Sequence, residues 1–200
     1  MSRWPADAGD RLHAAAVELF LERGFAATTV PQIAERAGLT TRSFFRYYAD
    51  KREVLFVGEE QLPGVVERVF AGAEAALAPM EVIEHGLRDV VAPRVQNLRE
   101  ELLNRHRISR GDEGLQERHL RKLAILQDAA AQGFRSRGLG PLDAQVAARI
   151  AVTVFDGALS AWLEGENRPF GEAITDVMAA LVRVARVQSS AGLERPTAAG

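Results

Sequence analysis

Apolar residues recur at three- and four-residue spacing along almost the whole chain, and no stretch shows the strict alternation of a half-buried strand, so the pattern predicts an all-α protein. Over 10–23, Leu12, Ala16, Leu19 and Phe20 fall on one helical face that ends at Gly24. Two short segments follow, with Ile33, Ala34 and Ala37 striping the first and Phe44 and Tyr48 one turn apart in the second. From Lys51, with Asp50 as its cap and Glu53 completing a box-like pair, the pattern predicts a long fourth helix into the seventies, kinked or broken at Pro63-Gly64. Further helices are predicted over 80–91, 93–109, 114–137, 143–165 and 170–188, separated by Ala-Pro, Gly-Asp-Glu-Gly, Gly-Leu-Gly-Pro and Asn-Arg-Pro breakers.

The two short segments carry the most information. Thr29 followed by Gln32 is a capping box, Pro31 is tolerated in the first turn it opens, and Gly38 supplies the left-handed residue that ends that helix. Leu39 plugs the angle, and Thr40 caps a second helix from about Thr41 to Tyr48. Two capped helices joined by a glycine turn form a helix-turn-helix, whose second helix enters the DNA major groove. Its chemistry suits that role. Thr40, Thr41, Arg42 and Ser43 crowd the end that meets base edges, and Arg46, Tyr47 and Lys51 follow with phosphate-binding capacity. Between Thr40 and Arg52 the chain places Arg42, Arg46, Lys51 and Arg52 against Asp50 alone, in a protein of net charge −2. Phe44 and Tyr48 are core residues on this reading, whereas Phe45 and Tyr47 face elsewhere.

The segment from Phe20 to Leu55, LFLERGFAATTVPQIAERAGLTTRSFFRYYADKREVL from Leu19, resembles the N-terminal DNA-binding domain of TetR-family transcriptional regulators. The shared features are Gly24-Phe25 after the first helix, Thr29 to Ala34, Ala37-Gly38-Leu39 at the turn, the aromatic run Phe44 to Tyr48, and Lys51. The resemblance implies base or phosphate contacts from Thr41, Arg42, Ser43 and Phe45, with Tyr47 and Lys51 gripping the backbone. Thr29, Thr40 and Arg46 complete the expected DNA-binding set. Many members carry an aromatic residue where this chain has Arg46, so that side chain either touches phosphate or braces the fourth helix. The resemblance ends near residue 60.

Two hundred residues leave room for a small reader and one larger lobe. The expected division is 1–55 for the reader, 56–188 for a ligand-binding and dimerisation domain, and 189–200 for a disordered tail; Arg3 and Trp4 lie in an N-terminal arm. A single helix-turn-helix contacts too few base pairs for useful specificity, which calls for a two-fold dimer. The apolar stripes of the last two helices, including Val146, Ile150, Val154, Gly157, Val177 and Leu181, are the expected interface, and the resemblance implies the same arrangement. Phe70, Met80, Leu87, Leu103, His106, Leu126, Phe155 and Trp162 are the expected walls of a pocket for an apolar or amphipathic small-molecule effector.

The chain has no cysteine, which excludes disulfides and thiolate chemistry, and its four histidines show no i, i+4 ligand pairing, so neither metal nor cofactor is expected. No signal peptide or bilayer-length apolar run is read, giving the expectation of a cytoplasmic protein with no membrane partner. The function expected is a homodimeric regulator on double-stranded palindromic operator DNA, a repressor released by its effector. Two alternatives differ in class. One is a ligand-independent DNA-organising protein; the other is a hydrolase with a DNA-binding tag, using His106, Ser109 and Asp112, which lacks a nucleophile elbow, metal cluster or phosphate loop.

Overall fold

The computed structural model describes residues 8–57 and 61–190, and among these every regular element is helical. The expected N-terminal arm with Arg3 and Trp4 lies outside the described residues; of the expected tail 189–200, residues 189 and 190 end the last helix instead, and the remainder lies outside the described residues. The elements are α1 (Ala8–Arg23), α2 (Val30–Arg36), α3 (Thr41–Tyr47), a 3-10 turn (Glu53–Phe56), α4 (Leu62–Gly72), α5 (Pro79–His85), a π-helical turn (Gly86–Val91), α6 (Ala92–Gln96), α7 (Arg99–Ser109), α8 (Glu113–Ser136), α9 (Pro141–Glu164) and α10 (Phe170–Ser190).

The chain forms two compact units. One comprises the residues up to Val66 together with Leu98–Leu126, and the other comprises Glu67–Asn97 and the residues from Gln127 on. In the first unit, Leu12, Ala16, Leu19 and Phe20 of α1 close over Ile33, Phe44 and Val54, and Ile108 of α7 and Leu115 of α8 complete the same core. The reader is thus not a module cut off near residue 55. Helical periodicity marks which face of α7 is apolar, but it cannot say which lobe that face covers.

In the second unit α9 packs along α10, burying Ala144, Ala148, Val154, Ala158 and Trp162 from one helix and Ala173 and Ile174 from the other. The Gln96 side chain accepts a hydrogen bond of 2.7 Å from Phe170 N–H, satisfying one of the free donors at the start of α10. Phe70 meets Phe134 edge to face at 4.9 Å, in a space that exists because Gly133 has no Cβ. Arg137 ties down the chain after α4 by donating to Ala73 O at 3.1 Å and Glu74 O at 2.6 Å.

Two segments depart from the periodicity. Residues 51–57 form a turn and a 3-10 turn rather than the opening of a long helix, and α4 starts only at Leu62, so Pro63 occupies a first turn where its missing N–H costs nothing. Asp50 is still a cap, its Oδ1 accepting from Arg52 N–H at 2.7 Å and Glu53 N–H at 2.9 Å, while Glu53 accepts from Ala49 N–H at 2.8 Å. At Ala92-Pro93 the expected break is absent. The helix widens into the π-helical turn, where Ala92 N–H bonds to Leu87 O, and passes Pro93 before stopping at Asn97. A widened turn relieves the clash that proline makes with the carbonyl one turn back.

By length and composition α9 is apolar enough to cross a bilayer, with a mean hydropathy of 1.4 over its most apolar window, contrary to the expectation that no such run exists. Its apolar character has a local cause: the helix buries a wide face within the second unit.

Candidate nucleic-acid interface

A seven-residue helix cannot stand by propensity alone, and α3 is held by its caps and by what it packs on. Thr40 is extended, with φ −97° and ψ 156°, and its Oγ accepts from Ser43 N–H at 3.1 Å. Gly38, at φ +64°, makes the turn between α2 and α3 in a region where a Cβ would strain the backbone. Arg11 of α1 reaches the end of α2 and donates to Ala37 O, a brace between distant positions that no local pattern announces. At the start of α2, the Gln32 carboxamide oxygen accepts from both Thr29 N–H at 2.9 Å and the Thr29 hydroxyl at 3.0 Å. The expected box is therefore half made: Gln32 closes on the backbone, while the Thr29 hydroxyl turns to the side chain instead of the Gln32 N–H.

Around α3 the residues divide cleanly. Phe44 is fully buried, Tyr48 nearly so, and the Tyr48 hydroxyl donates to Gly9 O at 2.9 Å; burial, together with the Asp10 carboxylate, raises the pKa of that hydroxyl. Thr41, Arg42, Phe45, Arg46 and Tyr47 all lie on the exposed face, Phe45 with 56 % of its surface free. An exposed phenyl ring is held by an edge-on contact with Phe44 at 5.5 Å, among two arginines, a threonine and a tyrosine. This surface can read base edges through Arg42 and Thr41 and meet phosphate through Arg46 and Tyr47. Arg46 donates to the Tyr47 hydroxyl at 2.7 Å and lies over its ring at 4.7 Å, a contact between neighbours within α3.

Two residues of the expected set sit differently. Ser43 is 6 % exposed and bound to Thr40, which makes it part of the cap and not of the presenting face. Lys51 points its ammonium into the turn between α1 and α2. Its Nζ donates to Phe25 O at 2.8 Å and Thr28 O at 2.9 Å, with Ala26 O at 3.4 Å, and it stands 4.3 Å from the centre of the Phe25 ring. Burial holds its pKa below the ordinary lysine range, with Asp112 opposing and Arg52 assisting. An ammonium whose three donors are already committed to carbonyls is a brace for the loop that positions α2.

Residues 12–56 match the bacterial regulatory proteins of the tetR family. The reader is similar to that family over these residues. Over 73 residues the chain is 41 % identical to the HTH-type transcriptional regulator TcmR of Streptomyces glaucescens, a match covering 36 % of this chain and 28 % of TcmR. Among solved structures, the TetR-family transcriptional repressor FadR of Thermus thermophilus, in complex with lauroyl-CoA, is 26 % identical, covering 96 % of this chain and all of FadR with a TM-score of 0.56. NalD, the secondary repressor of the MexAB-OprM multidrug efflux pump in Pseudomonas aeruginosa, shares the fold at 20 % identity and a TM-score of 0.60, over 88 % of this chain and 96 % of NalD. The likeness to FadR covers 96 % of this chain, well past residue 60 where the sequence resemblance ends, and NalD shares the fold.

The expected pocket residues divide between the units: Leu103, His106 and Leu126 belong with the first unit, and Phe70, Met80, Leu87, Phe155 and Trp162 with the second. Trp162 is fully buried, donates from its indole N–H to Arg168 O at 2.6 Å and meets the Phe170 ring at a tilt, centres 5.1 Å apart, so it is a core residue. Of the expected interface, Val154 is 1 % exposed and Gly157 packs on Val177 within the chain, whereas Ile150 and Leu181 are half-buried and Val146 is 49 % exposed. Asp112, invoked in the hydrolase alternative, spends its Oδ1 on Leu115 N–H at 3.0 Å as a cap of α8.

Proposed function

We propose that the chain is a homodimeric transcriptional repressor of the cytoplasm, not an enzyme, and that an apolar or amphipathic small molecule releases it from a palindromic operator. The observation that carries this reading is the exposed face of α3, where Thr41, Arg42, Phe45, Arg46 and Tyr47 stand on a helix fixed by Thr40, Gly38 and a buried Phe44. The similarity to TcmR and FadR, both named as transcriptional regulators, supports it. So does the locally basic composition of a chain that is acidic overall.

Dimerisation through α9 and α10 is supported by the exposed apolar side chains Leu142, Val146, Val182 and Val184 on that helix pair. Two readers related by a two-fold axis would meet half-sites about 34–36 Å apart, one turn of duplex. In this reading the second unit holds the effector, with the half-buried Phe70, Met80 and Phe155 and the buried Leu87 as candidate apolar walls. FadR is solved in complex with lauroyl-CoA, a ligand of the proposed amphipathic kind. Because α4 and α8 supply residues to both units, a ligand that favours one setting of the second unit shifts the population of reader spacings.

The test is a titration of operator DNA, recovered by selection from random duplexes, in the presence and absence of long-chain acyl-CoA and a panel of apolar compounds. A true effector lowers operator affinity, and operator lowers effector affinity by the same factor; tenfold corresponds to about 1.4 kcal/mol. Ligands that bind without moving operator affinity would sink the induction mechanism.

A further inference from the structure

Of the five side chains on the exposed face of α3, Phe45 alone carries no polar group, and 56 % of its surface is free. A phenyl ring makes no hydrogen bond to phosphate oxygens, so Phe45 has no share in the positioning contacts open to Arg46 and Tyr47. Its own position is fixed from below. The fully buried Phe44, part of the core of the first unit, meets it edge to face with ring centres 5.5 Å apart and planes at 85°. Tyr47, by contrast, has its ring beside Gly9 of α1, where an added Cβ would stand 3.5 Å from its Cδ1, and its hydroxyl accepts from Arg46. Thr41 and Arg42 precede Phe45 by four and three residues, so the three share one side of the helix, with Phe45 one turn further along. In the major groove the base edges present hydrogen-bonding groups, and the apolar substituent on offer is the C5-methyl of thymine.

We propose that Phe45 reads a pyrimidine C5-methyl group, carried by thymine or 5-methylcytosine, one or two base steps from the base pair that Arg42 reads. Side chains one helical turn apart have Cβ atoms about 5–6 Å apart, and bases along one strand follow at about 3.4 Å, which sets that separation. Phe45 can act in this way only if α3 reads an operator in the major groove, as proposed above, and it then adds a requirement that hydrogen bonding by Arg42 does not impose. Contact between the ring and the methyl takes apolar surface of both out of water. Deoxyuridine in the same place keeps every hydrogen-bonding group of thymine and lacks only the methyl, so reading of the methyl is separable from every other contact.

The operator recovered by selection from random duplexes is resynthesised with deoxyuridine for thymine at one symmetric pair of positions at a time, and the full-length protein is titrated on each duplex at fixed salt. The wild type should lose roughly fourfold per half-site, the transfer of one methyl group, at one such pair and little at the others. Phe45→Ala should bind the thymine operator more weakly and be indifferent to uracil at that pair, and Phe45→Leu should keep part of the discrimination; circular-dichroism melts report that both variants fold. Placing cytosine or 5-methylcytosine at the same pair tests the second source of the methyl. Methylation should raise wild-type affinity by a similar factor and leave Phe45→Ala unmoved, whereas a response confined to thymine assigns the methyl to that base. A defined palindrome in which no thymine is sensitive to loss of its methyl overturns the role given to Phe45 and leaves the operator reading standing. Sensitivity that persists undiminished in folded Phe45→Ala overturns it too, and gives the methyl to Thr41. Selection that yields no defined palindrome overturns both.

Discussion

Replacing Lys51 with alanine separates two roles that a lysine near a recognition helix can play. In the structure its ammonium holds Phe25 O at 2.8 Å, Thr28 O at 2.9 Å and Ala26 O at 3.4 Å. Hydrogen bonds to a charged group contribute about 1.5–3 kcal/mol each when well made, but two well-made bonds do not simply add here. Burial disfavours the ammonium, as its lowered pKa records, and the side chain keeps enough exposure for water to replace part of what is lost. A net cost of about 2 kcal/mol is therefore expected, including a few tenths from the contact with the Phe25 ring. For a chain of this length that corresponds to a fall in Tm of roughly 4–8 °C. Thermal melts give the stability, and operator affinity measured across a salt series gives the second readout. A brace leaves the slope of log K against log salt unchanged, whereas loss of a phosphate contact reduces it by about one unit. An unchanged Tm with a flattened slope would refute the bracing role and restore Lys51 to the phosphate contacts.

Arg42→Ala should cost about 1–3 kcal/mol on the preferred sequence and relax selectivity at one base pair per half-site, read by competition against single-site operator variants. Trp162→Ala should lower stability by about 3–5 kcal/mol, because it empties a fully buried site; a melt that does not move would return Trp162 to a pocket wall. Val146→Glu and Val184→Glu, on side chains 49 % and 67 % exposed, should give folded monomers by sedimentation, whereas Val154→Glu, 1 % exposed, should unfold the second unit. Stable dimers from both exposed-site variants would place the interface elsewhere. Glu22 is held below the usual carboxylate range by Arg36, so this exposed pair stabilises above the unfolded glutamate pKa and is lost as pH falls through the lower folded value. Glu22→Gln should accordingly blunt the pH dependence of the melt between neutral and acidic conditions, with no change at the acid end.

The parts of this molecule legible in its sequence are those where one or two residues dictate a local conformation. Thr40 and Gly38 set the start of α3 and the turn before it, and the breakers at Gly138 and Pro169 bound the last helices to within two residues. Less legible were positions decided by distant contacts. Ser43 carries a hydroxyl at the base-reading end of α3, yet it is buried by the cap it helps to make. Lys51 follows a basic helix, and only the three-dimensional turn at Phe25 to Thr28 shows why a cation is needed there. The apolar faces of α7 and α8 were clear, but Ile108 and Leu115 close the core of the reader, a pairing that separates residues by most of a hundred positions. Pro93 reads locally as a break, and a single widened turn before it lets the helix continue.

Whether α3 reads a two-fold DNA site is decided by selection from random duplexes followed by footprinting of the winning sequence. One enriched palindrome is expected, protected over two half-sites about one helical turn apart, with Arg42→Ala losing preference at the same position in each half. Enrichment of no defined sequence, with protection spreading evenly along any duplex, would contradict it.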